Sequence, residues 1–123
     1  MSKKDIKLAE MELQFAELVW KEEPIPSGEL VKLCEKELQW KKSTTYTVLR
    51  KLCQRGVLQN EDSVVTAMIK EKEYYAIQSE VFVKETFQGS LPGFLAAFMS
   101  RKKLNEKQIA EIEAMIEAYR EEK

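Results

Sequence analysis

Hydroxyl, phenol, amide and cationic side chains recur along one stretch of this chain, Trp40 to Leu58, at the spacing of one helix face. At 100° per residue, a helix from about Ser43 to Arg55 places Thr45, Val48, Leu49 and Leu52 on one side. Ser43, Tyr46, Thr47, Arg50 and Gln54 fall on the other side, with Thr44 and Lys51 at its margins. Carboxylates are absent between Gln39 and Asn60, so the outer face lacks the Glu/Lys mixture of an ordinary solvated helix. Such a face suits a DNA groove. Hydroxyls and amides exchange hydrogen bonds with base edges, and Thr methyls meet thymine methyls. Lys and Arg neutralise phosphates, and the helix N-terminus near Ser43 and Thr44 offers backbone N–H groups to one more. The competing reading is a solvated face that is merely basic.

Charge distribution favours the groove. The chain has 123 residues and a net charge of −1, which alone says nothing about nucleic acid. Residues 36–55, however, hold six basic side chains and one acidic, net +5, whereas residues 1–35 are net −3. The positive charge is gathered around one helix, as an electrostatic footprint requires. Lys41, Lys42, Ser43, Thr44, Tyr46, Thr47, Arg50, Lys51 and Arg55 are therefore the candidate DNA-binding residues. Thr44, Tyr46, Thr47 and Arg50 would face base edges or nearby phosphates, and Ser43, Lys41, Lys42, Lys51 and Arg55 would set position on the backbone.

The chain contains no His, so imidazole-based acid–base and metal chemistry is excluded. Cys34 and Cys53 sit among apolar neighbours and read as buried, reduced thiols; two Cys alone make a poor zinc site. No Gly-rich phosphate loop and no converging carboxylates stand out. The expectation is a protein without enzymatic activity, cofactor or metal. Its apolar runs are too short to span a membrane and its N-terminus is unlike a signal peptide, so a cytoplasmic protein with no membrane insertion is expected.

The elements around the basic stretch follow from periodicity and breakers. Residues 6–21 form a helix candidate with Leu8, Met11, Phe15, Leu18 and Val19 as its apolar stripe and Trp20 at its end. Pro24 and Pro26 stop it. Ser27 reads as the N-cap of a second helix, with Glu29 in the first turn and Leu30, Val31, Cys34 and Leu38 inward. Trp40 packs the corner before the third helix, and Gly56 ends that helix. Residues 57–60 and 64–69, around the turn-like Glu61-Asp62-Ser63, predict a two-stranded hairpin. Three helices and a hairpin, in that order, make a winged helix-turn-helix over 1–70, its third helix entering the major groove. The acidic tip, Glu61 and Asp62, argues against a phosphate-gripping wing.

Residues 71–123 read as a helical dimerisation arm. Tyr74, Ile77, Val81, Phe82 and Phe87 recur at helical spacing up to Gly89. Ser90 caps the next helix, whose stripe is Leu91, Phe94, Leu95, Phe98 and Met99. Asn105 and Gln108 form a capping box for the last, with Ile109, Ile112, Ile116 and Tyr119 along its seam. Three helices with stripes this large are hard to bury alone. Tyr74, Val81, Phe82, Leu91, Phe94, Leu95, Phe98, Met99, Ile109, Ile112 and Ile116 are thus the candidate dimerisation residues; packing within one chain is the alternative. The fold class is mainly α with a small β hairpin. A helical protein-interaction module with a winged-helix shape and no DNA role is the functional alternative.

Several pieces, in order, resemble the penicillinase, methicillinase and copper-transport repressor family. They are Glu12 with Leu18-Val19-Trp20, Ser27-Gly28-Glu29-Leu30-Val31, and Trp40-x3-Thr44-x2-Thr47-x-Leu49-x2-Leu52 followed by Arg55-Gly56-x-Leu58. Phe87-x-Gly89-Ser90-Leu91, Phe98 and Leu104-x4-Ile109 complete the match, which covers nearly the whole chain. The resemblance implies a homodimeric repressor on a dyad operator of double-stranded DNA, with derepression by weakening the dimer. In some relatives a membrane sensor-protease system leads to cleavage before the Phe corresponding to Phe98. An Asn precedes that Phe in those relatives, where this chain has Ala97. Copper-responsive members carry a Cys-rich C-terminal hook; the last residues here, Glu117 to Lys123, include no Cys, so no such metal sensing is expected.

Overall fold

The computed structural model describes residues 6–122. The elements run α1 (Glu10–Glu22), β1 (Ile25–Pro26), α2 (Ser27–Leu38), α3 (Lys42–Gln54), β2 (Leu58–Glu61), β3 (Val64–Ala67), α4 (Glu71–Thr86), α5 (Leu91–Arg101) and α6 (Glu106–Glu121). Six helices and a small antiparallel sheet give the expected winged helix followed by helices. The chain forms two compact units, one ending at Val81 and the other starting at Phe82, with α4 running through the division. No helix among the described residues is long and apolar enough to cross a membrane.

In the first unit the core is built from facing stripes. Phe15, Ala16 and Val19 of α1 meet Leu30 and Cys34 of α2, Leu49 and Leu52 of α3, and Val57, Leu58 and Val65 of the hairpin. Trp40 stacks on Phe15 with ring centroids 5.6 Å apart, closing the α2–α3 corner. Trp20 donates its indole N–H to the Ile69 carbonyl at 2.9 Å and leans on Tyr74. A buried indole N–H needs such a partner.

The structure departs from four local expectations. The first helix starts at Glu10, not at residue 6, and Met11 points to solvent. Ile6 and Leu8 are buried in extended chain instead, where the Leu8 N–H is bound by the Tyr74 hydroxyl at 3.0 Å. Ser27 is the first residue of α2 and Pro26 occupies the cap. The Ser27 N–H is already committed to the Ser63 carbonyl at 2.8 Å, which makes it the end of a sheet pairing. The hairpin has a third strand, because Ile25 and Pro26 pair with Val65 and Val64 and the order is β1-β3-β2. A two-residue strand carries no periodicity to read, and proline is tolerated there because it lies on an edge. Tyr74, expected at a dimer interface, is only 3% exposed and belongs to the core of the first unit.

Asp62 and Ser63 both have positive φ, 52° and 62°, as a two-residue type I′ hairpin loop demands. Gly56 at φ +79° ends α3, and the Val57 N–H reaches back to the Leu52 carbonyl.

The second unit is assembled by its caps. Gln88 and Gly89 turn left-handed after α4, and the Ser90 hydroxyl then accepts the Gly93 N–H at 2.9 Å to begin α5. Asn105 and Gln108 exchange hydrogen bonds at 2.8 and 3.1 Å, the full capping box of α6. Phe94 is the hub of an aromatic cluster, edge-on to Phe82 and Phe87 and 6.2 Å from Phe98. An open apolar groove of about 340 Å³ runs between α5 and α6, lined by Phe94, Leu95, Phe98, Leu104, Ile112 and Met115.

Candidate nucleic-acid interface

Helix α3 is held from behind by its apolar positions. Thr45, Leu49 and Leu52 are buried and Val48 and Cys53 half-buried. Thr45 tolerates full burial because its hydroxyl donates to the Lys41 carbonyl at 3.4 Å. The roll of the helix is thereby set, and the opposite side is turned outward. Lys41, Lys42, Ser43, Thr47, Arg50 and Gln54 are all exposed, while Thr44 and Tyr46 lie half-buried on its two flanks. Among the described residues Lys41, Lys42 and Arg50 have no carboxylate partner. The Lys41 side chain makes no capping hydrogen bond to the first turn of α3.

Three of the nine candidate positions are engaged within the protein. Lys51 and Arg55 turn toward α1, where both meet Glu12. The Lys51 ammonium lies 2.8 Å from Glu12 Oε2, and Arg55 Nη1 lies 3.1 Å from Oε1. The Lys51 contact is an ion pair without the alignment of a hydrogen bond. Arg55 Nη2 also donates to the Lys7 carbonyl at 3.0 Å. Tyr46 is tied at its tip as well, its hydroxyl donating to Ser27 Oγ at 3.4 Å, which braces α3 against α2.

Glu12 enters the sequence reading only through the family resemblance and not as a site residue, yet its position holds a signal. It lies three residues before Phe15 and seven before Val19, on the buried stripe of α1, where a lone carboxylate needs a partner. Burial pushes its pKa up; the Lys51 side chain, the Ala9 N–H and the Arg55 charge overcome this and hold it below the ordinary value. Asn60 was also unassigned; it borders a cavity of about 250 Å³ with Tyr46, Leu49, Arg50 and Cys53. The wing tip is acidic and exposed at Glu61 and Asp62, and the Gln59 amide donates to the Glu61 carboxylate.

Cys34 and Cys53 are free, and burial pushes both thiols above their ordinary pKa, away from the reactive thiolate. Among the described residues no three His, Cys, Asp or Glu side chains gather as metal ligands do.

Helix α3 thus presents an outward face without a carboxylate on a winged-helix frame. The sequence model of the penicillinase repressor family matches residues 8–118. The chain is also 26% identical to the penicillinase repressor of Bacillus licheniformis, over 98% of each chain. This chain belongs to the penicillinase repressor family. It is a DNA-binding transcriptional repressor and not an enzyme. The match runs through the winged helix and on into the C-terminal helices, so both units of the fold belong to the repressor.

Proposed function

We propose that the protein works as a symmetric homodimer in the cytoplasm, with each α3 reading one half-site of a dyad operator. Lys41, Lys42, Ser43, Thr44, Tyr46, Thr47 and Arg50 form the DNA surface of each subunit. Thr47 and Arg50 address base edges, and the lysines and the first turn of α3 hold the backbone. Val81, Phe82, Leu91, Phe94, Leu95, Phe98, Met99, Ile109, Ile112 and Ile116 supply the dimer interface.

The observation that carries the dimer is the state of the second unit. From Phe82 to Glu122 no described residue is buried, although Phe82, Leu91, Phe98, Met99 and Ile116 are each 46–56% exposed. Apolar surface on that scale calls for a partner, and a second copy of the same chain supplies a matching surface by twofold symmetry. Twofold symmetry in turn sets the operator, since two α3 helices meet two inverted half-sites one or two helical turns apart. Derepression then follows from weakening the dimer. Two linked half-site contacts become independent, and affinity falls by orders of magnitude.

Selection of duplexes from a random-sequence pool, followed by sequencing, tests this reading. Enrichment of an inverted repeat is the expected result. Enrichment of a single undivided site would refute the dyad.

A further inference from the structure

We infer that Glu12, a residue of α1 outside the DNA surface, is a positioning residue that withholds Lys51 and Arg55 from phosphate and so limits the cationic footprint of α3. The inference rests on α3 being the DNA-contacting helix. Its basis is the geometry of one carboxylate. The Glu12 side chain is 9% exposed and faces two cations of the recognition helix at 2.8 and 3.1 Å. Oε1 also accepts the Ala9 N–H at 2.9 Å, which anchors the carboxylate to the start of α1. Arg55 is held twice, by Glu12 and by the Lys7 carbonyl, with a side chain only 20% exposed.

The consequence is electrostatic. Of the five basic residues between Lys41 and Arg55, Lys41, Lys42 and Arg50 remain for DNA, while Lys51 and Arg55 are neutralised from behind. Each phosphate contact adds affinity for every duplex regardless of sequence and steepens the salt dependence. Sequestering two cations holds down that indiscriminate term and leaves a larger share of the binding to base contacts. Glu12 therefore acts on specificity without touching DNA.

Salt titration of binding to a random-sequence duplex of about 30 base pairs separates this role from simple support of the fold. With Glu12 retained, Lys51→Met is expected to leave the slope of log K against log salt unchanged. Lys42→Met is expected to lower its magnitude by about one unit per bound subunit. Glu12→Gln keeps an oxygen for the Ala9 N–H but releases both cations, and is expected to steepen the slope by one to about two units per subunit. A folded Glu12→Gln protein with an unchanged slope, whatever its melting temperature, would overturn the inference. Should Glu12→Gln fail to fold, Lys51→Met still decides, because a slope lowered as far as that of Lys42→Met would overturn it equally. Absence of salt-dependent binding by the unaltered protein would overturn the reading of α3 itself, a different failure from either of these.

Discussion

Arg50 and Tyr74 show how much the fate of a single side chain depends on the direction it faces. Arg50 is exposed at the centre of the outer face of α3 and has no carboxylate partner among the described residues. Its loss should be felt on DNA and scarcely in the fold. Arg50→Ala is expected to weaken operator binding by about 1–3 kcal/mol and relax the preference at one base pair. Titrations against single-base variants of the selected operator would check this, and unchanged discrimination at every position would refute a base contact. Tyr74 has the opposite character. Its hydroxyl binds the buried Leu8 N–H, so Tyr74→Phe strands that donor. A cost of about 1–3 kcal/mol in denaturant unfolding is expected, with no change in oligomeric state by sedimentation.

At the scale of elements, α1 is the strut against which α3 and the sheet are set, and carboxylates make both joints. Glu12 joins α1 to α3. Glu23, just past the end of α1, accepts the Ala67 N–H of β3 at 2.9 Å and pairs with Lys70 at 2.8 Å. For Glu23 as for Glu12, burial raises the pKa, and the hydrogen bonds and cations outweigh it, leaving the net shift downward. A carboxyl whose folded pKa is depressed stabilises the fold above its unfolded value. That stabilisation is lost as pH falls through the folded one. Stability should thus hold from neutral pH down to about the ordinary value of 4.5 and decline below it. Glu12→Gln should be less stable than the unaltered protein at pH 7, and the gap between their denaturant midpoints should narrow below pH 4.5. A gap constant across pH would show that the ionised carboxylate contributes nothing.

For the whole molecule, the two units differ in how they meet water. The first buries a complete core around Phe15, Leu30 and Leu52, whereas the second arranges its phenylalanines edge to edge and leaves them half open. The proposed self-association through the second unit would cover such a surface. Phe98 is 46% exposed beside Phe94 and on the wall of the α5–α6 groove. Phe98→Glu would put a charge into the proposed interface, where it has no partner. The expected outcome is a fall in mass to one chain by sedimentation equilibrium, together with loss of affinity for the two-site operator. A variant that remained dimeric would place the interface elsewhere.

Local order was legible in the residues themselves. The boundaries of α3, the left-handed Gly56, the Ser90 cap and the Asn105–Gln108 box all follow from periodicity and capping chemistry, which act between residues within a few positions of one another. The resemblance to repressors rested on the same short pieces. The start of α1, the strand at Ile25 and Pro26, the burial of Tyr74 and the pairing of Lys51 and Arg55 with Glu12 were decided by tertiary structure alone. The Leu8–Tyr74 and Glu12–Arg55 contacts join residues 66 and 43 positions apart. Spacing along a helix shows which side a residue takes, but not what will stand opposite it. At Arg55 that distinction separates a cation offered to DNA from one neutralised inside the protein.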